Sequence, residues 1–115
     1  MGEMVVERIN FLRCLDDKAF QAGIKGNYEL LMAYTAQEAG EEELFLEHMN
    51  KVKDQIDFLV GAGQLSPASA EYLKGRIERI LERGEITPSE VEMIEEELRK
   101  ASQRAFLSCL GIEIE

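Results

Sequence analysis

Gly63-Gln64-Leu65-Ser66-Pro67 and Gly84-Glu85-Ile86-Thr87-Pro88 are one phrase written twice, 21 residues apart. In each copy glycine supplies the left-handed conformation in which helices end, without the Cβ clash that other residues meet there. An apolar residue follows. Ser or Thr then offers an oxygen that accepts from the free N–H groups of a new helix, and Pro fits the first helical position, where an N–H is not needed. The second copy adds Glu90 three residues after Thr87, a capping-box pattern, and Val91 as an apolar staple for Ile86. The first copy has Ser69 at the box position and only Ala70 for Leu65 to staple against. Chain punctuated in this way runs helix, sharp turn, helix, sharp turn, helix.

Both prolines of the 115-residue chain lie in these phrases, and no run alternates β-branched with polar residues. The expected fold is therefore all-α: a single domain over 1–115, a compact bundle of about five helices. Val5, Ile9, Leu12 and Leu15, with Phe11 beside them, predict a first helix over 1–22, kinked or newly capped near Asp16-Asp17. Gly23-Ile24-Lys25-Gly26 predicts a break, with Asn27 as the N-cap of a helix over 28–39. That helix carries Leu30, Leu31, Met32, Ala33, Tyr34 and Ala36 around much of its circumference. Such a helix is expected to be central, or covered by a second subunit.

Gly40 followed by Glu41-Glu42-Glu43 predicts another break, the acids facing a helix N-terminus. Over 41–60, Phe45, Met49, Val52, Ile56 and Leu59 recur at spacings of four, three, four and three, a heptad seam. Leu44, Leu46 and Phe58 fall outside it, so this helix is expected to touch more than one neighbour. The helix over 67–83 gathers Ala70, Leu73, Ile77 and Ile80, with Leu81 adjoining. The one over 88–110 gathers Val91, Ile94, Leu98, Ala101 and Ala105. Its acids come early and its bases late, which suits the helix dipole, and Glu95–Arg99 and Glu96–Lys100 are the expected i,i+4 pairs. In the tail over 111–115, Gly111 is expected to cap the last helix with Ile112 folding back. A short terminal strand is the alternative.

Charge narrows the function. With 23 acids against 13 bases the net charge is −10, which argues against binding of a nucleic-acid backbone and disfavours an anionic membrane surface. It suits a basic protein partner, or solubility alone. No apolar run approaches the ~20 residues that span a bilayer and no signal peptide opens the chain, so a cytoplasmic protein is expected. Cys14 and Cys109 sit in the first and last helices and become neighbours if those helices pack together. In a reducing cytosol, buried free thiols are the expected state.

His48 is the single histidine, so there is no histidine pair to ligate a metal. Lys51 lies one turn further on. Over these two residues the chain resembles histidine phosphotransfer domains, which are small, acidic and helical. The resemblance implies His48 as phosphoryl acceptor, with Lys51 holding the phosphoryl group beside the imidazole. Val52 stands where such domains keep a glycine, and no second glycine follows shortly downstream, so the resemblance ends at two residues and establishes no family. The alternative is a boundary histidine packing its ring at the core edge.

Glu43 and Glu47 share a face and, with His48, define a metal-assisted reading. Phe45, however, stands three residues before His48, where a Glu-x-x-His ligand pair needs an acid. Gly84-Glu85-Ile86 with Glu90 resembles the back half of a calcium-binding helix–loop–helix. Its front ligand positions fall on Arg79, Leu81 and Arg83, which excludes calcium. No phosphate loop, nucleophile elbow or clustered cysteine motif is present.

The sequence thus predicts a non-enzymatic interaction or regulatory module with an acidic helical surface, binding a protein partner and itself. Leu31, Tyr34, Phe45, Met49, Val52 and Ile56 are the expected interface, and no catalytic residue, metal or cofactor is expected. The alternatives are a phosphotransfer carrier using His48 and Lys51, and an acidic nucleic-acid mimic that blocks a basic groove.

Overall fold

A computed structural model describes residues 11–111. Residues 11–15 are helical (α1). Four long helices follow: α2 (Lys18–Glu38), α3 (Glu42–Gly61), α4 (Pro67–Arg83) and α5 (Pro88–Cys109). No strand occurs among the described residues. Val5, Ile9, Ile112 and the rest of the tail after Gly111 lie outside them.

The four long helices form an antiparallel bundle in which α2 is central. It packs on α3 and on α5, and α4 packs on α3. Cross-helix pairs fix the directions. Gly26 lies beside Gln55, and Glu29 meets His48, so α2 and α3 run opposite ways. Lys53–Glu78 and Lys74–Asp57 do the same for α3 and α4. Ser102 reaches Phe20 and Asn27 reaches Glu95, so α2 and α5 are also antiparallel.

The α3 seam of Phe45, Met49, Val52, Ile56 and Leu59 is wholly buried, as are Leu73, Ile77 and Ile80 of α4 and Ile94 and Leu98 of α5. Each large side chain so enclosed contributes ~1.5–3 kcal/mol relative to exposure.

The repeated phrase behaves as its chemistry dictates. Gly63 and Gly84 take φ of +74° and +80°. Ser66 caps α4 by accepting from Ser69 N–H at 3.1 Å. Thr87 caps α5 by accepting from Glu90 N–H at 3.3 Å, while the Glu90 carboxylate accepts from Thr87 N–H at 3.0 Å. Leu65 and Ile86, the apolar residues of the two phrases, turn into the core. Gly40 (φ +74°) ends α2 in the same way, with Glu41 N–H donating back to Ala36 C=O at 2.9 Å.

Three expectations are corrected. A break lies at Asp16-Asp17, but none lies at Gly23–Gly26: Asp17 caps α2 by accepting from Phe20 N–H at 3.0 Å, and the helix then runs through both glycines. A Cβ built on Gly23 meets Ser102 Cβ at 2.6 Å and Leu98 C=O at 2.9 Å. Glycine is there to let α5 approach, and Asn27 is an interior residue of α2, not a cap. Second, the early acids and late bases of α5 pair as Glu96–Arg99 at i,i+3, rather than as Glu95–Arg99 and Glu96–Lys100. Third, Cys14 and Cys109 are joined in a disulfide instead of remaining free thiols.

Candidate functional site

Four of the six expected interface residues belong to the chain's own interior. Phe45, Met49, Val52 and Ile56 are enclosed by α2 and α4, leaving no surface on them for a second subunit. Tyr34 is half-buried against the core, while Leu31 is 60% exposed. A heptad seam on one helix is satisfied equally by another copy or by the chain itself, and here the chain's own helices fill it.

His48 occupies the α2–α3 boundary with its side chain 15% exposed, and its Nδ1 lies 2.5 Å from Glu29 Oε2. Lys51 Nζ is 3.6 Å from Glu47, its i,i+4 neighbour. The histidine therefore points into a paired contact between helices, and the lysine serves an exposed pair on α3. Glu43 and Glu47 are both exposed. Among the described residues no three of His, Cys, Asp and Glu converge as a metal site would require.

What the fold does assemble is an apolar groove where α1, α2 and α5 meet. It is open to solvent and has a volume of about 470 Å³. Its walls are Phe11 and Leu15 from α1, Phe20 and Ile24 from α2, and Phe106 from α5. Phe11 stands edge-on to Phe106 at 5.3 Å, and Phe20 lies tilted against the same ring at 5.0 Å. Ser102 forms part of the floor and donates to Phe20 C=O at 2.5 Å, so its hydroxyl is spent on tying α5 to α2.

One end of the groove is polar. Arg99 lies there, held by two bonds to the Glu96 carboxylate at 2.6 and 3.2 Å. That bonding raises the Arg99 pKa and lowers that of Glu96. Asn27 donates to Glu95 C=O at 3.4 Å, and its Oδ1 is buried with no hydrogen-bond partner among the described residues. Among the described residues no acidic side chain lines this groove, although acids outnumber bases in the chain.

Beside the groove, α2 shows Ile24, Tyr28 and Leu31, which are 46%, 59% and 60% exposed. Spacings of four and three put them in one row, the geometry of a single heptad seam. Ile24 belongs to both features. The row is readable in the sequence, but only across Gly26. Breaking the helix at Gly23–Gly26 separates Ile24 from Tyr28 and hides the pattern.

Elsewhere Leu12, Leu44, Leu46, Phe58 and Tyr72 are also exposed, set among polar and acidic residues. Glu38, Glu41, Glu42 and Glu43 crowd the α2–α3 turn, all exposed. Among the described residues no helix is long and apolar enough to cross a membrane. Comparison with protein-family models, curated proteins and solved structures finds no match to this chain.

Proposed function

We propose that this protein is a non-enzymatic interaction module that associates with a second copy of itself through the apolar row on α2. The carrying observation is Ile24, Tyr28 and Leu31 standing exposed in one seam-like row, continuous with the groove formed by Phe20 and Phe106. Polar constellations do not compete with this reading. His48 is committed to Glu29, and Glu43 and Glu47 are exposed on α3 without converging with it as a metal-binding group among the described residues. A row of large apolar groups on an acidic body is matched by the same row on a second copy, since the contact then buries grease without bringing acids into its centre.

Sedimentation velocity of the full chain across the micromolar range tests this. The expected result is a reversible dimer that the double substitution Tyr28→Glu and Leu31→Glu converts to monomer, with the helical circular dichroism unchanged. A wild-type chain that stays monomeric throughout the range sinks the proposal.

A further inference from the structure

α1 is fastened to the bundle in an unusual way. Its described residues Phe11, Leu12 and Arg13 are exposed and Leu15 is half-buried, so Cys14, at 2% exposure, is the only one fully enclosed. The hydrophobic core begins at Ala19 and draws its members from α2 to α5 and the turns between them. Among the described residues, α1 meets the bundle through the Cys14–Cys109 bond, the edge of Phe11 on Phe106, Leu15 in the groove with Phe20 and Ile24, and Leu15 C=O, which accepts from Gln21 Nε2 at 2.5 Å.

We propose that Cys14–Cys109 is a redox latch: a dithiol reductant opens it, and α1 leaves the bundle while α2 to α5 stay folded. The exposures of the two cysteines set the order of steps. Cys109 is exposed at the end of α5, whereas Cys14 is enclosed. A reductant thiolate attacks Cys109 Sγ, the Cys14–Cys109 bond breaks, and Cys14 leaves as a thiolate that takes up a proton. The reductant and Cys109 are now joined in a mixed disulfide. The second reductant thiolate attacks its own sulfur in that bond, and Cys109 departs as a thiolate and is protonated. Two electrons have passed to the cysteine pair, and the dithiol ends as its own disulfide. In a reducing compartment a bond of this kind is transient, as a switch needs.

Release has a consequence at the groove. Phe11 is withdrawn from Phe106, and the rings of Phe106 and Phe20 are laid open beside Ile24, Tyr28 and Leu31. The reduced chain thus presents the larger apolar face and associates more tightly. This consequence, unlike the release itself, rests on the self-association reading.

Limited trypsin digestion of the full chain, oxidised or treated with dithiothreitol, tests the latch by mass spectrometry of the cut after Arg13. Reduction is expected to speed that cut by roughly tenfold or more, the mark of a locally opened segment, while cuts after Lys51 in α3 and Arg79 in α4 stay slow. Cys14→Ser is expected to be cut at the fast rate with or without reductant. Equal rates for the oxidised and reduced chains overturn the latch, because packing alone then decides how α1 is held. So does a reduction that opens Lys51 and Arg79 together with Arg13, since the bond then staples the whole bundle. Two titratable thiols in the air-oxidised chain overturn it as well. Sedimentation of both forms separates the two readings: fast cleavage on reduction with no association in either form supports the latch and removes the self-association reading alone.

Discussion

Glycines of the same type serve opposite ends in this protein. Gly23 lies in the interior of α2, where a Cβ meets Ser102 Oγ at 2.8 Å and Leu98 C=O at 2.9 Å. Gly75 lies in the interior of α4 with nothing within 4 Å of such an atom. Ala at Gly75 is therefore expected to stabilise the fold by ~0.5–1 kcal/mol, through lost chain entropy in the unfolded state. Ala at Gly23 is expected to cost ~1–3 kcal/mol, because overpacking against backbone outweighs the propensity gain. Urea unfolding midpoints of the two variants check the opposite signs.

Glu90 gives the pH dependence at this scale. Burial works to raise its carboxyl pKa, but bonds from Thr87 N–H, Arg83 and the Thr87 hydroxyl prevail and hold it below 4.5. A carboxylate depressed on folding contributes stability that is fully present above its unfolded pKa and lost as pH falls through the folded value. Glu90→Gln is accordingly expected to flatten the fall in melting temperature below pH 4.5, measured as a pH series on both chains.

Between elements, a two-bond polar tie joins α2 to the turn before α5. Gln37 Nε2 donates to Ile86 C=O at 2.9 Å and Gln37 Oε1 accepts from Ile86 N–H at 2.6 Å. One side chain thus satisfies both backbone groups of a buried residue. Gln37→Leu leaves them unpaired and is expected to cost ~1–3 kcal/mol in a urea titration. The disulfide acts over a longer span, closing a sequence separation of 95 residues. Chain entropy for a loop near 100 residues gives an upper bound of ~4.7 kcal/mol, lowered by whatever freedom α1 gains on release. Reduction is expected to move the urea midpoint of the bundle down by less than that bound allows. A drop larger than that bound overturns this account of the bond.

Across the whole molecule, a net charge of −10 opposes association of two copies, while the α2 row favours it. Salt screens the first term and spares the second. Self-association is therefore expected to tighten as sodium chloride is raised, read as the dimer dissociation constant in sedimentation. An acidic surface acting as a nucleic-acid mimic on a basic groove behaves the other way, its binding weakening with salt. The sign of the salt dependence separates the two.

Much of the architecture is local chemistry, and local chemistry is readable along the chain. The Gly-x-φ-[Ser/Thr]-Pro phrases fix two turns and three helices because each orphan backbone group finds its partner within a few residues. The α3 seam is legible for the same reason of fixed helical period. What the chain alone leaves open is which neighbour each element meets. Gly23 and Gly26 read as a helix break until α5 stands against them, and the seam of Phe45 to Leu59 reads as an interface until α2 and α4 enclose it. Cys14 and Cys109 become a bond only when the folded bundle brings their Cα atoms to 5.7 Å. Residues distant in sequence exert no force on one another until tertiary packing sets their separation, so the groove, the exposed row and the Cys14–Cys109 bond were all decided there.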